Sequence, residues 1–304
     1  MADDGMMAEF CRRIPKIELH AHLNGSISLD TMDKLFTYKH QTSPDDPSLP
    51  SRDLLMGWKA DGENFSEGFK VFSVIHKLVD DVNSVKIVTG DVIHDFAGEN
   101  VKYLELRSTP KSNPKTGMTK QAYVDAILTA IEEAKQKSPG IVVRYLVSID
   151  RKKGPAEAVE NAQLAVDYRK RYGDVVCGVD LGGDPAAFES KDFLPALAKA
   201  KKYGLKLALH IAEVPGAKEA KDLLELPTDR IGHGTCLHPD RGGSQELLDI
   251  VEKHAIPLEL CLSSNVQCHT VSSYDDHHMW HWYNTNHPFV ICVSTTSTTP
   301  LSYV

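Results

Sequence analysis

The stretch IVVRYLVSIDRKKGPAEAVENAQLAVDYRKRYGDVVCGVDL, residues 141–181, decides the fold. It opens on an apolar, β-rich run (141–150), passes through a segment of helical period (Gly154–Arg171), and closes on a second β-rich run (175–181). The same alternation extends in both directions. Further apolar runs stand at 16–19, 101–107, 205–210, 229–233, 256–262 and 289–293. Helical period returns at Thr119–Lys137, Phe188–Tyr203 and Ser244–His254, and Gly204 is placed to end the second of these. In Thr119–Lys137, Tyr123, Ile127, Ala130, Ile131 and Ala134 share one face, while Glu132, Glu133 and Lys135 fall largely elsewhere. Eight strands alternating with helices predict an α/β fold, and a closed (β/α)8 barrel of the TIM type fits both the count and the length. A doubly wound open sheet is the alternative, weakened because no strand is followed by G-x-G-x-x-G or a Walker loop.

Between the first two strands lie roughly 80 residues, more than one crossover helix needs. Helices are expected there at Leu29–Lys39, Ser66–Val79 and Val82–Phe96, with a loop over SPDDPSLPS (43–51). This insertion, about 29–98, is placed to cover one end of a barrel. With no internal repeat and no boundary signal, residues 1–293 read as one domain.

Bulk properties narrow the class. At 304 residues and 41% hydrophobic, the chain is ordinary for a soluble protein. No run reaches the ~18 apolar residues of a membrane span, and MADDGMMAEF lacks the basic-then-apolar order of a secretory signal. Six cysteines, at 11, 177, 236, 261, 268 and 292, form no C-x-x-C pair and read as reduced thiols of a cytosolic protein. Net charge is −8 without a basic cluster, which argues against nucleic-acid binding.

Polar residues collect where the strands end, the face on which barrels of this type carry their chemistry. His20 and His22 follow the first strand; Arg107, Ser108 and Thr109 the second; Asp150 the third; Gly182, Gly183 and Asp184 the fourth; His210 and Glu213 the fifth; His233 the sixth. Taken singly, each has a plain structural use as a cap, turn or satisfied core imidazole. Their recurrence after successive strands points to one shared site. His20 and His22, two residues apart on a strand, project to the same side. Three neutral histidines can hold a divalent metal and leave a position for water, whose pKa the metal lowers toward about 7. Glu213, three residues beyond His210, is placed to protonate a leaving group or a ring nitrogen.

KIELHAHLNGS (16–26), LALHIAE (207–213) and DRIGHGT (229–235) resemble the adenosine/AMP deaminase family of metal-dependent amidohydrolases. YLELRSTP, GMTK, DLGGDP, LELCLSSN and YDDHH resemble its adenosine deaminase-like branch. The likeness runs in order from about residue 13 to about residue 292. It implies a (β/α)8 barrel with one catalytic zinc (Zn2+) held by His20, His22 and His210. Glu213 is then the proton donor to purine N1, and His233 stands beside the attacking hydroxide. His22, Asn24, His76, Arg107, Ser108, Thr109, Pro110, Asp150 and Gly183 become nucleotide contacts. The implied reaction is hydrolytic deamination of N6-methyl-AMP and related N6-substituted purine nucleoside monophosphates, giving IMP and an amine, in a cytosolic monomer. Ser108 and Thr109 suit a phosphate, with Lys111 adding charge nearby; Gly183 lets backbone approach a ring closely.

The resemblance fails at the eighth strand. The family reads V-I-C-T-D-D there, the first aspartate completing the zinc site and the second holding purine N7. This chain reads VICVSTTSTTPLSYV, with Ser294 and Thr295 in those places and no acid after Asp276. The family's final helices have no counterpart, and the Ser/Thr-rich residues 294–304 are expected to be disordered. Two readings follow: a zinc aminohydrolase impaired by loss of the Asp-Asp pair, or a non-catalytic truncated form that binds a nucleotide or a partner.

Overall fold

The structure, a computed structural model, describes residues 4–47, 49–50 and 74–292. Eight strands hydrogen-bond in chain order, β1 through β8, with helices between them, as in the (β/α)8 barrel class. The described residues divide into two compact units, those up to 106 together with 111–143, and 107–110 together with 144–292.

In the first unit, α1 (Asp4–Arg13) leads into β1 (Lys16–His22), and α2 (Leu29–Thr42), α3 (Val82–Gly98), β2 (Val101–Ser108) and α4 (Lys120–Lys137) follow. The starts of β1 and β2 meet where Lys16 N–H donates to the Asn100 carbonyl. The starts of α2, α3 and α4 are capped by residues suited to them: Ser28, Asp81 and Thr119 accept from the Thr31, Ser84 and Ala122 amides. Ser84 returns a bond to the Asp81 amide and completes a capping box. Val85, Val88, Val92 and Phe96 of α3 are buried as it packs on α4, whose Tyr123, Val124, Ile127 and Ile131 are buried in turn. Lys39 of α2 is buried against Asp80 and Asp81, clasping α2 to the start of α3.

In the second unit, β3 (Val142–Asp150), α5 (Gly154–Arg171), β4 (Val176–Gly182), α6 (Leu194–Lys202), β5 (Lys206–Ile211), α7 (Ala217–Leu224), β6 (Arg230–His233), α8 (Gln245–Lys253), β7 (Leu258–Cys261), α9 (Leu262–Gln267), α10 (Met279–Asn284) and β8 (Phe289–Cys292) succeed one another. Strands β3 to β8 pair in parallel. Val147, Val179, Leu181, Leu207, Leu209, Ile231 and Leu258 are all fully buried. Strands covered on both faces read as unbroken apolar runs, which is why these stood out in the sequence. The register aligns their far ends: Asp150 lies opposite Gly182, and Ile211 opposite His233.

Several boundaries differ from expectation. β1 runs on to His22 rather than ending at Leu19, so both histidines are strand residues. The helix expected over Phe188–Tyr203 is a single turn at Ser190–Asp192 followed by α6. Pro195, lacking an N–H, is tolerated in a helix only within the first turn and sets the start there. Gly204, in the left-handed region at φ 82°, follows α6 as expected. β7 ends at Cys261, and Leu262 begins α9. Helices α1, α7, α9 and α10 were not anticipated; α9 and α10 span six residues each, too short for a periodic signal. Of Ser66–Val79, residues 66–73 lie outside the described residues, while 74–78 are helical. Ser294, Thr295 and the expected disordered segment 294–304 also lie outside them. No described helix is long and apolar enough to cross a membrane.

Candidate active site

In the first unit, candidate residues lie at the end of β1. Its even-numbered side chains Glu18, His20 and His22 share one side of the strand. Glu18 and His20 are buried, and the Glu18 carboxylate accepts from the His20 amide at 2.6 Å. The His20 and His22 Nε2 atoms are 3.3 Å apart, with ring centroids at 5.1 Å. Nitrogens at that separation share a proton or together face one cation. Asn24 follows in a tight turn at Leu23–Gly25, and its Oδ1 is a buried acceptor with no hydrogen-bond partner among the described residues. Such an atom is costly to leave unmade and suits a ligand donor. His76 is exposed on the helical stretch 74–78.

The second unit holds a buried charge network. His210 on β5 holds the Asp180 carboxylate of β4 at 2.8 Å through Nδ1. With the proton on Nδ1, the lone pair stands on Nε2, the arrangement in which a carboxylate orients a metal-binding imidazole. Burial presses His210 toward its neutral form, but the adjoining Asp180 charge outweighs it and holds the pKa above the ordinary imidazole value. Ser148 donates to the other Asp180 oxygen at 3.0 Å. Arg107 lies 3.4 Å from Asp180 and 2.7 Å from Glu259, all three fully buried, and Arg230 meets the second Glu259 oxygen at 2.6 Å. Arg107, expected to contact the nucleotide, thus directs its guanidinium at two carboxylates beneath the strand ends.

Strands β5 and β6 both end in the left-handed region, at Ala212 (φ 52°) and His233 (φ 64°). A β-carbon is strained there, a feature that gathers at functional positions. The turns bring Glu213 and His233 together, with Glu213 Oε1 3.6 Å from His233 Nε2, and the His210 and His233 ring centroids 5.3 Å apart. Burial lowers the pKa of His233. Asp150 and Gly183 also meet. Gly183 has φ 86°, and a β-carbon on it would stand 2.6 Å from Asp150 Oδ1, so no other residue fits without displacing the carboxylate. Ser108 is buried with its hydroxyl 3.0 Å from that of Tyr145; Thr109 beside it is half-buried and Pro110 buried.

Residues 15–295 match the adenosine deaminase family profile. The chain belongs to the adenosine deaminase family. It is 49% identical over 284 residues to the N6-methyl-AMP deaminase of Danio rerio, across 93% of this chain and 80% of that protein. It superposes with a TM-score of 0.83, at 35% identity, on the apo structure of the N6-methyl-AMP deaminase from Arabidopsis thaliana, covering 97% of this chain and 83% of that one. A structure of Arabidopsis ADAL complexed with IMP aligns with a TM-score of 0.82 at 36% identity, over 97% of this chain and 85% of that one.

This adenosine deaminase family member is a hydrolytic deaminase, of a family whose amidohydrolases depend on a metal. Sequence reasoning gave no role to Asp180, Glu259, Asn265 or His277 of the deaminase. Two of them carried a usable signal: Asp180 in VCGVDLG and Glu259 in LELC are acids inside otherwise buried strands, and a charge there needs a partner.

Proposed function

We propose that this deaminase hydrolyses N6-methyl-AMP and related N6-substituted purine nucleoside monophosphates, releasing an amine and IMP, with one zinc ion held by His20, His22 and His210. The observation that carries the metal assignment is the tether of His210 Nδ1 to Asp180, which commits Nε2 to a ligand role. The close Nε2 pair of His20 and His22 supports it, because imidazole nitrogens are the donors zinc prefers. When bound, zinc acts as a Lewis acid and supplies a water nucleophile acidified to react near neutral pH.

The chain's own groups do the rest. As the oxygen of one water adds to purine C6, one of its protons reaches N1 by way of the Glu213 carboxyl, and the other leaves on the amine as the C6–N bond breaks and C6 becomes a carbonyl. His233, neutral and buried, faces Glu213 across the reacting position. Asn24 offers its unsatisfied oxygen to the ligand. His22, His76, Arg107, Ser108, Thr109, Pro110, Asp150 and Gly183 complete the nucleotide contacts, and the Arg107 guanidinium also pairs with Asp180 and Glu259. The monophosphate preference is supported by the names of the relatives and by the IMP complex. Ser294 and Thr295, in place of the family's two aspartates, supply neither a zinc carboxylate nor an N7 partner, so this chain works weakly. The protein acts as a cytosolic monomer.

Elemental analysis together with an assay of IMP formation tests the reading. The parent chain is expected to carry zinc and His20→Ala to lose it; equal zinc in both overturns the ligand set. Faster deamination of adenosine than of N6-methyl-AMP overturns the substrate. A chain that holds the nucleotide without any turnover, even with the aspartates restored, is the non-catalytic form instead.

A further inference from the structure

A run of hydrogen bonds behind β6 can be assigned proton by proton. The Met279 backbone N–H donates to His277 Nδ1 at 3.0 Å, and a backbone amide can only donate. His277 Nδ1 therefore holds a lone pair. Burial lowers the pKa of this ring to about 4, so at neutral pH its one proton is on Nε2. That Nε2 lies 3.3 Å from Asn265 Oδ1 and donates to it, which fixes which way the amide points. The Asn265 Nδ2 is then turned toward His233 Nδ1 at 3.2 Å, with the Thr235 and Thr270 hydroxyl oxygens at 3.1 and 3.2 Å. An amide nitrogen carries hydrogens and accepts nothing, so His233 Nδ1 is an acceptor and the His233 proton stands on Nε2. From below, His278 Nε2 donates to the His233 carbonyl at 2.8 Å and holds the residue in its left-handed turn.

We propose that Asn265 and His277 are positioning residues that set the tautomer of His233, so that His233 presents an Nε2–H donor toward the Glu213 carboxylate. In the resting site His233 Nε2 then carries a hydrogen facing Glu213, whose Oε1 is 3.6 Å away, and is not a vacant base. A wrong tautomer of a buried histidine removes the donor from the reacting side, although the ring does not move. The catalytic consequence rests on the aminohydrolase reading above; the position of the proton does not.

Long-range 1H–15N spectra of the chain labelled with 15N-histidine test this directly, with the His233 signals identified by their loss in His233→Gln. In the parent, Nδ1 is expected to resonate as an unprotonated ring nitrogen and Nε2 as a protonated one. Asn265→Asp, which replaces the donor with an acceptor of the same shape, is expected to move the proton to Nδ1 or add one there. His277→Gln keeps an amide donor and is expected to keep the parent pattern, while His277→Phe does not. A proton on Nδ1 in the parent overturns the proposal, as does a parent-like spectrum from folded Asn265→Asp. If Asn265→Asp does not fold, the parent and His277→Phe spectra decide. Absence of zinc or of IMP formation in the parent counts against the deaminase reading and leaves this result untouched.

Discussion

Arg107 shows how much of this site is electrostatic scaffolding. Its guanidinium stands between the Asp180 carboxylate, which orients His210, and Glu259, with no part of the three side chains reaching solvent. Buried carboxylates without a cation cost more than the pair gains when intact. Arg107→Met is therefore expected to destabilise the fold by about 3–5 kcal/mol, read from the urea midpoint, and Arg107→Met with Glu259→Gln to recover part of it. A loss well under 1 kcal/mol for the single variant would show that other groups hold the two acids. The histidines and Glu213 were legible in the sequence because strand ends in a barrel are where chemistry gathers. The ion pairs of Arg107 were not legible, since its partners on β4 and β7 lie 73 and 152 positions along the chain. Asn265 and His277 fall in motifs that carry the resemblance but were given no role: an amide in the short helix α9 and a histidine just before α10 have ordinary surface readings, and only folding brings them under His233.

At the scale of elements, most strands and long helices were read to within a few residues, the start of α6 excepted, because burial on both strand faces and on one helix face writes a period into the sequence. Short helices such as α9 and α10 were missed for want of a period. The clasp between α2 and α3 was also invisible, since Lys39 and Asp80–Asp81 look like solvated charges in one dimension. Burial opposes both charges, yet their mutual hydrogen bonds win: the Lys39 ammonium is raised above 10.5 and the Asp81 carboxyl, helped by the Ser84 amide, lowered below 3.8. The Asp81 contribution is thus present above 3.8 and lost as pH falls through its depressed folded value; the Lys39 contribution is present below 10.5 and lost as pH rises through its raised one. The clasp is at full strength between these limits. The urea midpoint of the parent is expected to fall on acidification below about pH 4. Lys39→Met should start lower at pH 7 and lose less over the same range; an equal acid loss in both would remove the clasp as its source.

On the scale of the whole molecule, the family match runs from residue 15 to residue 295 and so takes in Ser294 and Thr295, where the proposed zinc reading calls for two aspartates. Ser294→Asp with Thr295→Asp restores one carboxylate for zinc and one for purine N7. The double variant is expected to bind zinc more tightly than the parent and to form IMP from N6-methyl-AMP faster, by at least the roughly tenfold to hundredfold that supporting groups around a metal are worth. Equal rates for parent and variant would show that the tail is not what limits this chain. The strand order has a separate bearing on how the molecule is made. Strands β4 to β8 begin at residues 176, 206, 230, 258 and 289, and each pairs with the one before it. Every new pairing closes a loop of roughly thirty residues, a modest entropic cost that does not grow as the sheet widens. A nascent chain leaving the ribosome can therefore lay down one strand and helix at a time. Each arrival covers the edge left by its predecessor, so no long edge waits for a distant partner while it is still able to pair with a neighbouring chain.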